Sequence, residues 1–165
     1  MRKILLLSDT HSYIDKQILK YVKLADEVWH AGDIGKIDVA DTIKALKPFR
    51  AVYGNIDDKN VRSEYALDLK FKVEDVSVWI THIGGYPDRY NFRISDEIKQ
   101  APPKLFISGH SHILKVQYDQ KLKSLHMNPG AAGKHGFHKV RTMLRFDIDR
   151  AEIKNLEVIE LETRT

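Results

Sequence analysis

Two histidines late in the chain have a spacing that suits metal binding. The stretch Gly109-His110-Ser111-His112 follows the apolar run Leu105-Phe106-Ile107. In an extended backbone, side chains at i and i+2 point to the same side, so both imidazole rings can face one ligand. Gly109 allows a tight turn where the preceding strand ends. Alone this pair is a weak signal, and its weight depends on the residues upstream.

Further ligand-type side chains follow four other predicted strands, namely Asp9 and His11, Asp33, Asn55 and Asp57, and His82. The carboxyl ends of parallel strands form one edge of an open α/β sheet, which is where ligands bind. Taken singly, Asp9 and Asp33 fit helix caps or turns equally well, and Asn55 fits a turn. Their recurrence at one predicted edge favours a shared site.

The elements that must position these side chains alternate between strands and helices in the first half. Apolar runs predict strands over 2–8, 27–31 and 49–53. Apolar residues at helical spacing predict helices between them, first at Ile14, Ile18, Val22 and Ala25, then at Val39, Ile43 and Leu46. This order predicts a parallel sheet with right-handed crossovers.

The second half reads as strands joined by short turns. Residues 65–73 and 76–81 predict an antiparallel pair that turns at Glu74-Asp75. A short helix is expected around Ile94 and Ile98, and further strands over 104–108, 113–119, 121–127, 140–148 and 153–161. We therefore predict an α/β fold of two facing mixed β-sheets flanked by α-helices, in one domain spanning residues 1–165.

The composition narrows the classes of site and partner. The chain has no cysteine, which excludes thiolate metal sites and disulfides. Its net charge of +4 permits an anionic partner, but the lysines are scattered, so a nucleic-acid partner is not favoured. The apolar run Ile4-Leu5-Leu6-Leu7 is too short for a signal peptide or a membrane span. We expect a cytoplasmic protein without a membrane partner.

The strand-end residues could hold two metal ions if one carboxylate bridges them. The candidate ligands are four imidazoles, two carboxylates and one amide: Asp9, His11, Asp33, Asn55, His82, His110 and His112. The imidazoles argue against magnesium and calcium and favour Mn, Ni, Zn, Fe or Co. Such an ion pair, about 3.5–4 Å apart, activates a shared water and binds the oxygens of a displacement reaction. A phosphate ester suits the positive charge of that site.

The motif blocks resemble one known family. Asp9-Thr10-His11, Gly32-Asp33, Gly54-Asn55-Ile56-Asp57, Thr81-His82 and Gly109-His110-Ser111-His112 are similar, in order, to those of the calcineurin-like metallophosphoesterases. The short length and Asn128-Pro129-Gly130 resemble the small bacterial and archaeal phosphodiesterase branch. The resemblance implies a dinuclear metal-dependent enzyme that hydrolyses small phosphodiesters through a metal-bridging hydroxide, in a sandwich of two sheets.

The same resemblance implies a division of the ligands between two metals. Asp9, His11, Asp33 and His112 would hold one ion, and Asp33, Asn55, His82 and His110 the other. Asn55 would also reach a phosphoryl oxygen, which makes it both a catalytic and a substrate-binding residue. His82 is likewise expected to border the substrate.

The sequence departs from the family pattern after Gly54-Asn55. Many relatives have a histidine there that assists the leaving group, and this chain has Ile56. Asp57 is expected to support catalysis by orienting a ligand histidine through a hydrogen bond. Without an evident general acid, the site should favour leaving groups that need little protonation, hence diesters over monoesters.

Two other functions fit the same sequence. The retromer complex contains a subunit of similar fold and length that serves as a binding scaffold with a compromised metal site, whereas the ligand set here is complete. A nuclease would fit the positive charge but needs a basic track to the metals. The sequence is also compatible with a homo-oligomer.

Several aromatic and histidine residues lie outside the motif blocks. His30 and both tryptophans, Trp29 and Trp79, are expected in the core. His126 is expected to be structural, and His135 and His138 to lie in a solvated loop. The remaining candidates, Tyr86, Arg89 and Tyr90, could line a substrate pocket or form the surface of a turn.

Overall fold

A computed structural model describes residues 1–163 and contains two five-stranded sheets. In chain order the elements are β1 (Arg2–Leu7), α1 (Lys16–Leu24), β2 (Glu27–His30), α2 (Ile37–Lys44), β3 (Phe49–Ala51), α3 (Lys59–Glu64), β4 (Asp68–Val73), β5 (Val76–Thr81), β6 (Gly85–Tyr86), β7 (Arg89–Tyr90), α4 (Phe92–Gln100), β8 (Leu105–Ile107), β9 (Leu114–Asp119), β10 (Ser124–Pro129), β11 (Val140–Asp149) and β12 (Glu152–Thr163).

Both large sheets are mixed. The first has the order β12-β11-β1-β2-β3, in which β1, β2 and β3 are parallel and β11 and β12 are antiparallel. The second has the order β4-β5-β8-β10-β9, with a parallel centre of β5, β8 and β10 and antiparallel edges. The predicted fold class of two mixed sheets with flanking helices is confirmed.

Alternating side chains of β1 explain how the layers stack. Leu5 and Leu7 point to the side covered by α1 and α2, where they pack against Ile18 and Ile43. Leu6 points to the other side, into the core between the two sheets. Because both faces of β1 are buried, the strand is an unbroken apolar run. The helix α4 covers the outer face of the second sheet.

The predicted helices exist, and their ends follow from local chemistry. Asp15 caps α1 by accepting from the Ile18 N–H at 2.9 Å, and Asn91 caps α4 by accepting from the Arg93 N–H. In the described residues, no helix has the length and apolar character needed to cross a bilayer.

Two local elements were not predicted from the sequence. The helix α3 has six residues and buries only Val61, so it carries no helical apolar pattern. The hairpin formed by β6 and β7 pairs only Gly85 with Tyr90 and Tyr86 with Arg89, too short for an alternating pattern.

The bounds of one predicted strand were wrong. A strand was predicted over 121–127, but residues 121–123 form a turn and β10 extends to Pro129.

Candidate metal centre

Asp9 lies at the centre of the site, directly after β1. Its Oδ2 atom accepts hydrogen bonds from the Ser8 hydroxyl at 2.6 Å and the His110 N–H at 3.1 Å. Its Oδ1 atom faces imidazoles instead, 3.2 Å from His112 Nε2 and 3.8 Å from His11 Nε2. One oxygen therefore fixes the carboxylate, and the other is directed at nitrogen ligands.

Asp33, in the loop after β2, is held in a similar way. Its Oδ1 accepts from the Ile56 N–H at 3.1 Å. Its Oδ2 lies 3.4 Å from His11 Nε2 and 3.2 Å from His82 Nε2. Asp33 therefore contacts imidazoles on both sides, which is the position that a bridging carboxylate requires.

The ligand-type atoms form two adjacent groups. One consists of Asp9, His11 and His112, the other of Asp33, His82 and His110, and within each group these atoms lie within 4.8 Å of one another. Asn55 joins the second group because its Oδ1 lies 3.0 Å from His110 Nδ1. The structure thus brings together all of the predicted ligands.

The orientation of His82 is set by the backbone behind it. Its Nδ1 lies 2.8 Å from the carbonyl oxygen of Ala31, which can only accept, so Nδ1 carries the proton. Its other nitrogen, Nε2, then faces Asp33 and Asp9. Gly32 is required for this approach, because a Cβ there would lie 2.5 Å from His82 Nδ1.

Three buried atoms at the centre have no hydrogen-bond partner within the described chain: Asp9 Oδ1, His11 Nε2 and His82 Nε2. Buried polar atoms in folded proteins are almost always paired, so each such case needs an explanation. All three are directed at the same small region, and all are good ligands for transition-metal ions. The residues present therefore fit a bound pair of divalent ions.

The backbone at the site is conformationally unusual. Positive φ angles occur at five of the proposed ligands: Asp9 (54°), His11 (44°), Asp33 (55°), His110 (72°) and His112 (62°). The left-handed region costs a residue with a Cβ roughly 1–2 kcal/mol. Such strain persists where the surrounding structure enforces it and is concentrated at functional sites.

The electrostatics keep both carboxylates ionised. Burial raises the pKa of Asp9, but the imidazoles of His11, His112 and His82 near its carboxylate together hold that pKa well below its ordinary value. For Asp33, burial is likewise outweighed by His82, and the pKa is lowered. Burial and the neighbouring His82 lower the pKa of His110, which favours the neutral, metal-binding imidazole.

Two sequence predictions need correction. Asp57 does not orient a ligand histidine, because its carboxylate accepts backbone N–H bonds from Ile34, Gly35 and Gly54 at 2.7–3.1 Å. His82, itself one of the proposed ligands, is 1% exposed, so its side chain does not reach the open mouth where a substrate would enter.

Other expectations were met away from the ligands. The core positions of His30, Trp29 and Trp79 are confirmed. The His30 ring nitrogens contact the Thr10 hydroxyl at 3.0 Å and the Gly32 N–H at 3.1 Å, so it holds two ligand-bearing loops together.

The sequence predicted a solvated loop for His135 and did not mark Phe137 or Ile113, although all three line the mouth of the site. His135 stacks on His11 with ring centroids 4.6 Å apart, and it lines the entrance with Phe137 and Ile113. Phe137 is fully exposed, and Ile113 is 65% exposed. A glycine-rich loop gives no periodic signal, although exposed apolar residues among glycines could have drawn attention to it.

Comparison with known proteins gives a family match over most of the chain. Residues 2–151 match the model of the calcineurin-like phosphoesterase superfamily domain. A probable metallophosphoesterase of Methanocaldococcus jannaschii is 29% identical over 133 residues, which span 76% of this chain and 65% of that protein. The chain thus matches just under two thirds of the length of this relative.

Solved structures share the fold at low sequence identity. An archaeal phosphodiesterase superposes with a TM-score of 0.75 at 22% identity, covering 96% of this chain and 99% of that one. Vps29 from Entamoeba histolytica, solved with Zn²⁺, gives a TM-score of 0.74 at 16% identity, covering 99% of both chains.

Proposed function

Because this chain belongs to the calcineurin-like phosphoesterase superfamily, we propose that it is a dinuclear metal-dependent phosphoesterase that prefers phosphodiesters. The observation that carries the proposal is the set of unpartnered atoms Asp9 Oδ1, His11 Nε2 and His82 Nε2 between two adjacent ligand groups. When bound, two divalent ions would supply an activated water and offset the charge on the phosphoryl oxygens.

The protein's own side chains would hold and orient the reacting groups. Asp33 would bind both ions, since its Oδ2 faces His11 and His82. Asn55 is exposed at the mouth, so its amide N–H can donate to a phosphoryl oxygen while its Oδ1 stays beside His110. This arrangement places a neutral donor where negative charge increases in the transition state.

The preference for diesters rests on what stands beside Asn55. Ile56 is 45% exposed and cannot give a proton to a leaving group. A monoester carries one more negative charge than a diester and reacts through a looser transition state, in which more charge collects on the leaving oxygen, so it gains more from a proton donor there. A site with an apolar side chain at this position therefore favours diesters with acidic leaving alcohols.

The test compares bis(para-nitrophenyl) phosphate with para-nitrophenyl phosphate after loading with Mn²⁺, Ni²⁺, Zn²⁺ or Fe²⁺. We expect the diester to give the higher kcat/KM and chelation to abolish it. Asp33→Asn should lower the rate at least a hundredfold and reduce the bound metal, because it weakens both sites. Asp96→Asn, on the exposed face of α4, is the matched control.

The outcomes separate the alternatives. Faster monoester hydrolysis would refute the diester preference, and near wild-type activity of metal-loaded Asp33→Asn would refute the bridging role. Salt-sensitive cleavage of single-stranded or duplex DNA, well above the rate on small diesters, would support a nuclease instead.

A second candidate function, a protein-binding platform, is favoured by exposed apolar side chains around the same mouth. Ile56, Ile113 and Phe137 are 45%, 65% and 103% exposed. Complete absence of hydrolysis by metal-loaded protein would favour this function.

A further inference from the structure

A second concave space opens beside the metal centre and shares His110 with it. This side pocket has a volume of about 370 Å³. Its upper walls are formed by Ile83, Tyr86 and Ile113, which are 37%, 38% and 65% exposed, and His126 lies at its buried base. The volume is within the range of about 300–1,000 Å³ in which proteins enclose small organic molecules.

One wall combines an aromatic ring with positive charge. Lys115 Nζ lies 4.0 Å from the centroid of the Tyr86 ring, and Arg89 is paired with Tyr86 across the short hairpin of β6 and β7. Among the described residues that line the side pocket, none is acidic. The wall therefore suits a planar group attached to an anion: the cations attract the anion, and the planar group would stack on Tyr86 after displacing Lys115 from the ring.

The wall is held in place by packing beneath it. The Tyr90 hydroxyl donates to Asp119 at 2.6 Å, and the Tyr90 ring lies against Phe106 with centroids 5.7 Å apart. On the opposite side, the Asn128 side-chain amide donates to the Gly109 carbonyl at 3.0 Å. Both sides of the pocket are thus fixed before a ligand binds, which reduces the entropy lost on binding.

His126 forms the base of the pocket. His126 is 1% exposed, and its Nδ1 has no hydrogen-bond partner in the part of the chain that the structure describes. Burial lowers the pKa of His126 to about 4, so the ring is neutral at pH 7. The base of the pocket is therefore uncharged at neutral pH, which suits a neutral ring.

We propose that the side pocket binds an aromatic ring on the non-leaving alcohol of the substrate, such as the base of a nucleoside, while the phosphodiester group lies at the metal centre. The proposal rests on the proposed phosphodiesterase function and adds the class of ester. His110 connects the side pocket to the metal centre, because it belongs both to the second ligand group and to the pocket wall.

The kinetic test uses two diesters with one leaving group: methyl para-nitrophenyl phosphate and the para-nitrophenyl ester of thymidine 5′-phosphate. We expect the wild-type KM to be at least tenfold lower for the thymidine diester. Tyr86→Ala should raise that KM roughly tenfold, the effect of losing a base stack, with less than a twofold change for the methyl diester. Tyr86→Phe keeps the ring and should keep the low KM.

Tyr118→Ala is the matched control, because Tyr118 is an exposed tyrosine on β9, 47% exposed and outside the pocket lining. Equal KM values for the two diesters in wild-type protein would overturn the pocket assignment while leaving the phosphodiesterase function intact. An equal loss on both diesters in Tyr86→Ala would also overturn it. Hydrolysis of neither diester would instead refute the proposed function.

A measurement without turnover separates binding from catalysis. Saturation-transfer NMR of thymidine with zinc-loaded wild-type protein should show transfer to the base protons. Tyr86→Ala should lose most of this transfer, and Tyr118→Ala should retain it. Transfer that survives Tyr86→Ala unchanged would place the base elsewhere and contradict the proposal.

Discussion

At the scale of single residues, which side chains meet was easier to predict than what each supporting residue does. Residue type and order indicated the seven proposed ligands, because imidazole and carboxylate groups at strand ends are distinctive, and the structure brings those side chains together. The roles of Asp57 and His82 could not be read in the same way. A carboxylate that binds three backbone N–H groups and a carboxylate that orients a histidine look identical in sequence.

Asp57 should matter for stability rather than for the reaction. Its carboxylate joins the loops after β2 and β3, so Asp57→Asn replaces an acceptor with a group that also carries two N–H donors. We expect the free energy of unfolding of the metal-free protein to fall by about 3 kcal/mol. Urea denaturation measures this change.

The neighbouring Asp58→Asn is the control for this substitution. Asp58 caps α3 by accepting from the Asn60 and Val61 N–H groups, and asparagine caps helices about equally well. Its effect should stay below about 0.5 kcal/mol. Similar losses in both variants would contradict the role assigned to Asp57.

His126 should make the stability of the metal-free protein dependent on pH. Burial lowers its pKa from 6.5 to about 4, so the unfolded chain binds a proton between these values and the folded chain does not. Stability is therefore full above pH 6.5 and falls as the pH drops toward 4. From pH 7.5 to pH 5.0 this histidine should contribute a loss of about 2 kcal/mol.

Urea denaturation of His126→Gln at both pH values checks this expectation. The difference between the two pH values should be about 2 kcal/mol smaller than in wild-type protein. The buried ring of His30, whose pKa is lowered to about 3, also contributes to the pH dependence of stability. Because both proteins contain His30, subtracting the pH-dependent change of His126→Gln from that of wild-type protein removes this contribution. His135→Gln, at an exposed position, is the control. An unchanged pH dependence in His126→Gln would show that the side chain is not buried as described.

At the scale of elements, prediction depended on the length of the apolar pattern. The buried run of β1 and the helical spacing in α1 and α2 were long enough to identify. The six-residue α3 and the two-residue strands β6 and β7 were not, because so few residues give no measurable period. The missed hairpin supplies Tyr86, which the sequence left open as either a pocket residue or a surface residue of a turn, to the lining of the side pocket.

The end of β2 should control metal binding through Gly32. This residue has a φ of 103°, and a Cβ would lie 2.5 Å from His82 Nδ1. Gly32→Ala should push the ring away from the Ala31 carbonyl and lower metal affinity ten- to a hundredfold. Isothermal titration calorimetry with the metal ion measures this change in affinity.

Gly130→Ala is the matched control for backbone strain. Gly130 also has a positive φ, 73°, but its Cβ would meet the Thr142 hydroxyl and no ligand. Both variants should lose stability, and only Gly32→Ala should lose metal affinity. Equal affinities in the two variants would mean that His82 does not depend on the backbone behind it.

At the scale of the whole molecule, two sheets are joined through one site. Asp9 and Asp33 follow strands of the first sheet, and His82 and His110 follow strands of the second. The sequence predicted the two sheets from the change of pattern near residue 65. It could not predict how closely their ends approach, because that distance depends on the packing of the core between them.

Metal binding should therefore stabilise the entire fold. Ions that bind only the folded state, at a free concentration a hundred times their Kd, add about 2.7 kcal/mol per site. For a domain of this size, each kcal/mol raises Tm by roughly 2–4 °C. Two sites predict a rise of about 10–20 °C between chelator-treated and zinc-loaded protein in a thermal melt.

One substitution tests whether the two ligand groups are the source of this stabilisation. Asp33→Asn weakens both groups of ligands at once, so its zinc-dependent rise in Tm should be less than half that of wild-type protein. Asp96→Asn on α4 should show the full rise. If Asp33→Asn showed the full rise in Tm, the loss of the shared carboxylate would have left the stabilisation by zinc unchanged. Zinc would then bind the folded protein at a place other than the two ligand groups.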